Sequence, residues 1–277
     1  MQKTNIEWAN SSWNPISGCY NDCFFCYARR TANRFKGCDS SPSGETSEPI
    51  VELDRRLKVT NKDGVTRGAA YPFGFTPTFH RYRLDDLKTK KFGETIFVGS
   101  MGDMFGPWIP DDWLSEVFKA CLDSPEHRYL FLTKYPGRYV ELDLEGLLPQ
   151  QDNFWYGTTV NNPDMPYMWS DIYNTFLSIE PLLAPFGKAD IESLLAPFGK
   201  AYTEAKLGSN DWIIIGAMTG PGSEEHQPKR EWIVDLVSEA KKADVPVFMK
   251  DSLIPIWGDD IITQFPWETK KENDNDR

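Results

Sequence analysis

Six short apolar runs recur along the chain, spaced widely enough for a helix to fit between most of them. They are TIFVGS (95–100), RYLFLT (128–133), FWYGTTV (154–160), TFLSIE (175–180), DWIIIGA (211–217) and VPVFMK (245–250). Continuous apolar runs of this length mark strands buried on both faces. Amphipathic stretches lie between several of them, at 110–124, 136–148 and 229–243. In the last, Trp232, Ile233, Leu236, Val237 and Ala240 fall at helical spacing, which gives one apolar stripe. Strands alternating with helices predict a parallel sheet with right-handed crossovers. A further strand near 12–18 brings the count to about six or seven βα units. The pattern predicts an α/β fold, a full or partial (β/α) barrel. It forms one domain over residues 1–266, with a frayed tail over 267–277. No Gly-rich dinucleotide fingerprint opens the first unit, which disfavours an open Rossmann sheet.

Residues 39–48 are polar and rich in serine, with Pro42 and Gly44 among them, and read as a loop. Residues 179–190 (IEPLLAPFGKAD) and 191–202 (IESLLAPFGKAY) are a tandem repeat. A single extra copy is no solenoid, and the simplest expectation is a lengthened loop after the run that ends at Glu180. No run of about 18 apolar residues occurs, so no membrane partner is expected. The start, MQKTNIEWANSSW, lacks the apolar core of a secretory signal, and a cytoplasmic location is expected.

Charge changes the picture. The chain of 277 residues has a formal net charge of −11, which argues against a general nucleic-acid binder. The distribution is uneven. Residues 1–100 carry 15 Lys and Arg against 11 Asp and Glu, whereas the remaining 177 carry 15 against 30. Arg29, Arg30, Arg34 and Lys36 contribute to the basic excess and directly follow a cysteine cluster. They read as a solvated helix face or as an anion-attracting rim beside the cysteines.

In a β/α barrel the chemistry sits at the C-terminal ends of the strands. Asp103 follows the first apolar run, with Ser100 closing it, and Thr133 and Lys134 close the second. Thr158 and Thr159 end the third, before Asn161, and Ser178 and Glu180 end the fourth. The fifth leads into Thr219, Gly220 and Gly222, and the sixth into Lys250 and Asp251. Any one of these is an ordinary turn residue. Lys134, Glu180 and Lys250 stand out, because a charge closing an apolar strand needs a partner or a ligand. His226, in the Gly-rich segment, is the one histidine placed to act as an acid or base. Cys121 reads as a packed helix residue, and most of the ten tryptophans read as core.

Cys19, Cys23 and Cys26 are spaced C-x3-C-x2-C, and Cys38 follows alone. Such a cluster holds metal more often than it forms a disulfide framework. A structural zinc site needs four ligands. Cys38, His80, His127 and His226 are the candidates for the fourth, and none has a finger spacing. A cubane [4Fe–4S] cluster also takes four, one per iron, so three cysteines leave one iron open.

The spacing, with Phe25 before the last cysteine, resembles the signature of radical S-adenosylmethionine (SAM) enzymes. More widely, TNIEWANSSWNPISGC, CFFCYARR, FVGSMGDMFG, FLTKYPGR, WYGTTVNN, FLSIEPLL, WIIIGAMTGPGS and VPVFMK are similar to segments of a phage-associated family. That family consists of small radical-SAM-like proteins with a three-cysteine motif and no assigned function. The matching segments run from residue 4 to about residue 253. The LLAPFGKA duplication departs from the family.

The resemblance implies a barrel of radical SAM type and a [4Fe–4S] cluster on Cys19, Cys23 and Cys26. It implies SAM on the open iron, cleaved to a 5′-deoxyadenosyl radical with an electron from a flavodoxin- or ferredoxin-type donor. The segment Ser100 to Asp103 would meet the SAM amino group. Thr158, Thr159 or Asn161 would meet the ribose, and Gly216 to Thr219 the adenine. Tyr27 would touch the adenine or pack. Lys134, Glu180 and Lys250 would serve the substrate or control the radical. A phage-type setting, in the host cytoplasm, suggests DNA or a nucleotide as substrate. Isomerisation or other modification of a base, such as a thymine carrying an amino acid, is the preferred reading. A DNA photoproduct lyase-like repair enzyme and a non-catalytic zinc or iron–sulfur partner protein are the alternatives.

Overall fold

The computed structural model describes residues 2–37, 49–60, 64–89, 93–195 and 211–268. Cys38, the loop at 39–48, most of the second repeat copy and nearly all of the 267–277 tail lie outside the described residues. The protein is mixed α/β and divides into two compact units, residues 1–149 and residues 150–277.

The first unit begins with β1 (Gln2–Lys3), β2 (Ser11–Trp13), β3 (Ile16–Ser17) and α1 (Tyr27–Arg34). Four short strands follow: β4 (Val51–Leu53), β5 (Lys58–Thr60), β6 (Thr66–Gly68) and β7 (Thr78–His80). A 3-10 helix over Arg81–Thr89 leads to β8 (Thr95–Val98), α2 (Asp111–Leu122), β9 (Arg128–Thr133) and α3 (Gly137–Leu144). β1 is antiparallel to β2, and β2, β8 and β9 run parallel in that order. β7 lies between β3 and β4 in a small second sheet, and β5 and β6 form a hairpin.

The single strand expected near 12–18 is two strands in two sheets. Pro15 is the reason: it has no N–H for a ladder, and its carbonyl accepts instead from His80 N–H at 2.7 Å. β8 stops at Val98 because Gly99 turns the chain at φ +83°. Helix α2 buries Trp113, Leu114, Val117, Phe118 and Cys121, the stripe that its sequence pattern predicts. Trp8, Trp13, Trp113, Trp155 and Trp212 are buried, half of the ten expected mostly in the core, and the other five are partly buried.

The second unit contains β10 (Phe154–Thr159), β11 (Asn174–Ile179), α4 (Lys188–Leu195), β12 (Ile213–Ile215), α5 (Arg230–Lys242), β13 (Val247–Met249) and α6 (Ile254–Trp257). Its four strands are parallel, in chain order. All six β10 residues and all three β12 isoleucines are buried. Each buried isoleucine contributes about 1.5–3 kcal/mol of hydrophobic stabilisation. Helix α5 covers this core with Ile233, Leu236 and Ala240. The junction of the two repeat copies is a helix rather than a lengthened loop. Ile191, Leu194 and Leu195 fall at helical spacing in α4 and join the same core. Among the described residues no helix is long and apolar enough to cross a membrane.

Candidate functional site

The cysteine loop is fastened to the end of β8 by two glycines. Gly18 pairs with Gly102 in a lone parallel bridge, and Gly18 N–H donates to the Met101 carbonyl at 2.9 Å. Neither position tolerates a side chain. Gly18 sits at φ +88°, and a Cβ there would overlap the Thr76 carbonyl. A Cβ on Gly102 would overlap the Gly18 carbonyl. Cys19 N–H donates to the Phe75 carbonyl at 3.1 Å, and the Cys19 side chain is buried with Ala28, Ala32, Phe75 and Met101.

The loop then closes on itself. Cys26 N–H donates to the Cys23 carbonyl at 3.1 Å, and Cys26 caps α1 by accepting from Arg29 N–H on its Sγ at 3.3 Å. Cys19 Sγ accepts from Asn21 N–H, also at 3.3 Å. Both amides favour negative charge on sulfur, as does the start of a helix. Two outer residues hold the loop in shape. The Arg29 guanidinium donates to the Asn21 carbonyl, and Tyr135 Oη donates to Asn21 Oδ1 at 2.5 Å.

The three thiols feel one another. Burial, with Asp103, Cys23 and Cys26 adding to it, pushes Cys19 up to about 12, against the Asn21 amide. Burial also raises Cys23, and the Lys134 ammonium is the first influence that opposes it. Burial lowers Lys134 in turn, while Cys23, Asp103, Cys19 and Cys26 hold its charge in place. Lys134 Nζ lies 5.4 Å from the Phe25 ring centroid. A half-buried cation therefore stands beside the three thiols.

Asp103 fixes that lysine. Its Oδ2 accepts from Lys134 N–H at 3.0 Å, and its Oδ1 accepts from Thr133 Oγ1 at 2.7 Å and Phe105 N–H at 3.2 Å. Burial still raises the carboxyl above its ordinary value despite these three donors. The carboxylate braces the β8 loop against the end of β9. Ser100 is buried, its hydroxyl donating to Asn14 Oδ1 at 3.2 Å, and its carbonyl accepts from Tyr27 Oη at 2.6 Å. Tyr27 thus ties α1 to this loop by its hydroxyl and leaves half of its surface exposed.

In the second unit Glu180 and Lys250 pair with each other, Oε1 to Nζ 2.5 Å, with both side chains mostly buried. They lie over Gly216, where a Cβ would come within 3.0 Å of Glu180 Cγ and 3.2 Å of Lys250 Cδ. Lys250 N–H donates to the Ile215 carbonyl at 2.9 Å, and Ala217 N–H donates to Ser252 Oγ at 3.0 Å. Asn161 is buried and donates through Nδ2 to the Pro181 carbonyl at 2.8 Å. Thr158 is fully buried, its hydroxyl accepting from Met168 N–H at 3.3 Å. Thr159 is buried at the end of β10, and Thr219 and His226 are exposed between β12 and α5. Of the three charged strand-end residues, Lys134 belongs with the cysteines, and Glu180 and Lys250 belong with each other.

A family model described as "Protein of unknown function (DUF5131)" matches residues 3–275. The chain belongs to the DUF5131 family. No curated protein and no solved structure matches it significantly. The family carries no stated activity, so the chemistry of the donor set has to supply the reading.

Three cysteines are a donor set for an iron–sulfur cluster or, with a fourth ligand, for zinc, and the candidate Cys38 lies outside the described residues. Among the described residues no group of three or more His, Cys, Asp or Glu is arranged to hold one metal ion. His80 is buried with both ring nitrogens engaged, by Ser17 Oγ at 2.8 Å and Tyr82 Oη at 3.4 Å. His127 accepts from Glu94 N–H on Nδ1 at 3.1 Å. Three cysteines on one loop fit a cubane, whose thiolates sit on separate irons, with the fourth iron left open. Several residues of the site carried no signal as strand-end polars. Asn14, Asn21 and Tyr135 act through hydrogen bonds across the unit, and only their places inside or beside the family-like segments mark them.

Proposed function

We propose that this protein is a radical SAM enzyme on a partial β/α barrel of that type. The observation that carries the reading is the gathering of Cys19, Cys23 and Cys26 between the Gly18–Gly102 bridge and the start of α1, with Lys134 beside them. Cys19, Cys23 and Cys26 would hold a [4Fe–4S] cluster, which would supply an open iron for SAM and, from a flavodoxin- or ferredoxin-type donor, the electron for its cleavage to methionine and a 5′-deoxyadenosyl radical. The chain's own residues do the rest. The Asn21 and Arg29 amides and the Lys134 ammonium stabilise charge on the thiolates. Phe75 and Met101 pack against Cys19 and keep water from it.

The backbone of Ser100 to Asp103, held by Asn14, Tyr27 and Asp103 itself, offers fixed acceptors to the SAM amino group. Thr159 and the segment Gly216 to Thr219 are assigned to ribose and adenine. Thr158 and Asn161 support them from within, given their buried bonds. The Glu180–Lys250 pair is a clamp for a polar substrate group, or a proton donor and acceptor once a ligand parts it. The substrate reading is a nucleic-acid base or nucleotide, modified or isomerised after hydrogen abstraction. The basic excess of residues 1–100 supports it.

The test is incubation of the anaerobically reconstituted protein with SAM and dithionite. Release of 5′-deoxyadenosine, absent in Cys23→Ala, is expected. Intact SAM after complete cluster loading would end the proposal. Irradiated DNA against modified-base DNA separates the repair reading from the modification reading.

A further inference from the structure

Helix α1 turns its small residues inward and its charge outward. Ala28 and Ala32 are buried, while Tyr27, Arg30 and Arg34 are exposed on the other side. Phe24, Tyr27 and Phe35 expose 60%, 51% and 52% of their surface, which is unusual for three aromatics within twelve residues. The Arg34 guanidinium lies 5.7 Å over the Phe35 ring. The surface does not end with the helix. Lys36 bridges to Tyr71, and Gly37 N–H donates to the Pro72 carbonyl at 3.2 Å. A Cβ on Gly37 would come within 2.7 Å of Val59 and 2.9 Å of Ala69, so this end of α1 lies directly against the β5–β6 hairpin.

The hairpin region adds Arg55 and Arg67, both exposed, to Arg30, Arg34 and Lys36, and Arg67 shares the ladder face of Val59 that lies against Gly37. Among the described acids nearby, Glu52 and Asp54 share the Arg81 guanidinium with Glu116, and the exposed Asp22 lies 3.9 Å from Arg29. In a chain of net charge −11, a basic face with exposed rings points to a polyanion with stackable groups.

We infer that this face binds a single-stranded nucleic acid. Phosphates lie on the five cations, unpaired bases stack on Phe24, Tyr27 and Phe35, and the strand runs from the hairpin to the cysteine loop. A duplex would hide the faces that the rings need. A mononucleotide would use only one end of the surface. The inference deepens the substrate reading proposed above. Strand binding is measured without cluster chemistry, so the two can fail separately.

Fluorescence anisotropy of a labelled oligothymidylate with the full chain tests it. Binding that weakens with salt is expected, with a log–log slope of about −3.5 for five phosphate contacts at ~0.7 each. Arg30→Glu combined with Arg34→Glu lowers affinity by about thirtyfold or more and flattens that slope. Phe35→Leu and Phe24→Leu each lower affinity by about tenfold and leave the slope unchanged. The native salt slope requires no variant to fold. Salt-independent binding, indifference to the charge reversal, or equal affinity for a mononucleotide or a duplex would overturn the inference. So would an acidic flavodoxin-type protein whose binding alone responds to the reversal, since the face would then be a protein dock. Release of 5′-deoxyadenosine from SAM without substrate is unchanged in the double variant. Its absence in the native protein counts against the enzyme reading and leaves the strand result standing.

Discussion

Removing the Asp103 carboxylate loosens the cysteine pocket without touching a cysteine. Its two oxygens accept from Thr133 Oγ1, Phe105 N–H and Lys134 N–H. Asp103→Asn keeps the volume and one oxygen. That oxygen retains the Thr133 and Phe105 bonds, but the amide NH2 then faces Lys134 N–H, donor to donor. A stranded buried N–H costs about 1–3 kcal/mol. Relief from burying a carboxylate, which burial already pushes toward its neutral form, offsets part of that. The expected net loss is about 1 kcal/mol. Asp103→Ala strands all three donors and should lose about 3 kcal/mol. With an m-value of about 2–3 kcal/mol/M, the urea midpoint falls by about 1 M for alanine and about a third of that for asparagine. Tryptophan fluorescence follows the transition. Two variants within ~0.5 kcal/mol of the native protein would refute the brace. Equal losses in both would show that the charge, rather than the hydrogen bonds, matters.

The Glu180–Lys250 pair should behave as a coupled unit: Lys250→Met and Glu180→Gln each cost about 2–3 kcal/mol, and the double variant recovers about 1–2 kcal/mol of their sum. Urea melts in a double-mutant cycle measure this, and additivity would mean that the pair contributes nothing. His80 should make the fold acid-sensitive. Burial, and then Arg83, hold it well below its ordinary value, so the unfolded chain takes up the proton first as pH falls. The stability from neutral His80 is complete above about pH 6.5 and declines below it by at most ~1.4 kcal/mol per pH unit. His80→Gln should reduce that acid slope in melts between about pH 7.5 and 5, and identical slopes would contradict the assignment.

The parts of the fold that were legible were those buried on both faces. The apolar runs around Ile213–Ile215 and Phe154–Thr159 have no competing pattern, and they became strands close to where the sequence places them. Residues 49–89 gave no such signal. Their strands are three residues long and partly polar, and β5 reads Lys-Val-Thr with its charge in solvent. The cysteine loop was legible because its ligand types and spacing are local. The grouping of the other residues was not. Lys134, Glu180 and Lys250 look alike in sequence, each a charge closing an apolar strand. The Asp103 hydrogen bond to Lys134, and the ion pair of the other two over the Gly216 floor, separate them. Tyr27 was weighed as an adenine contact or a packed ring, and neither anticipates a phenol reaching the Ser100 carbonyl 73 residues away.

The metal content of the protein tests the central claim most directly. After anaerobic reconstitution with iron and sulfide, the account predicts a brown protein with about four irons per chain. Alanine at Cys19, Cys23 or Cys26 should prevent that loading. A colourless protein that keeps one tightly bound zinc through the same treatment would contradict it.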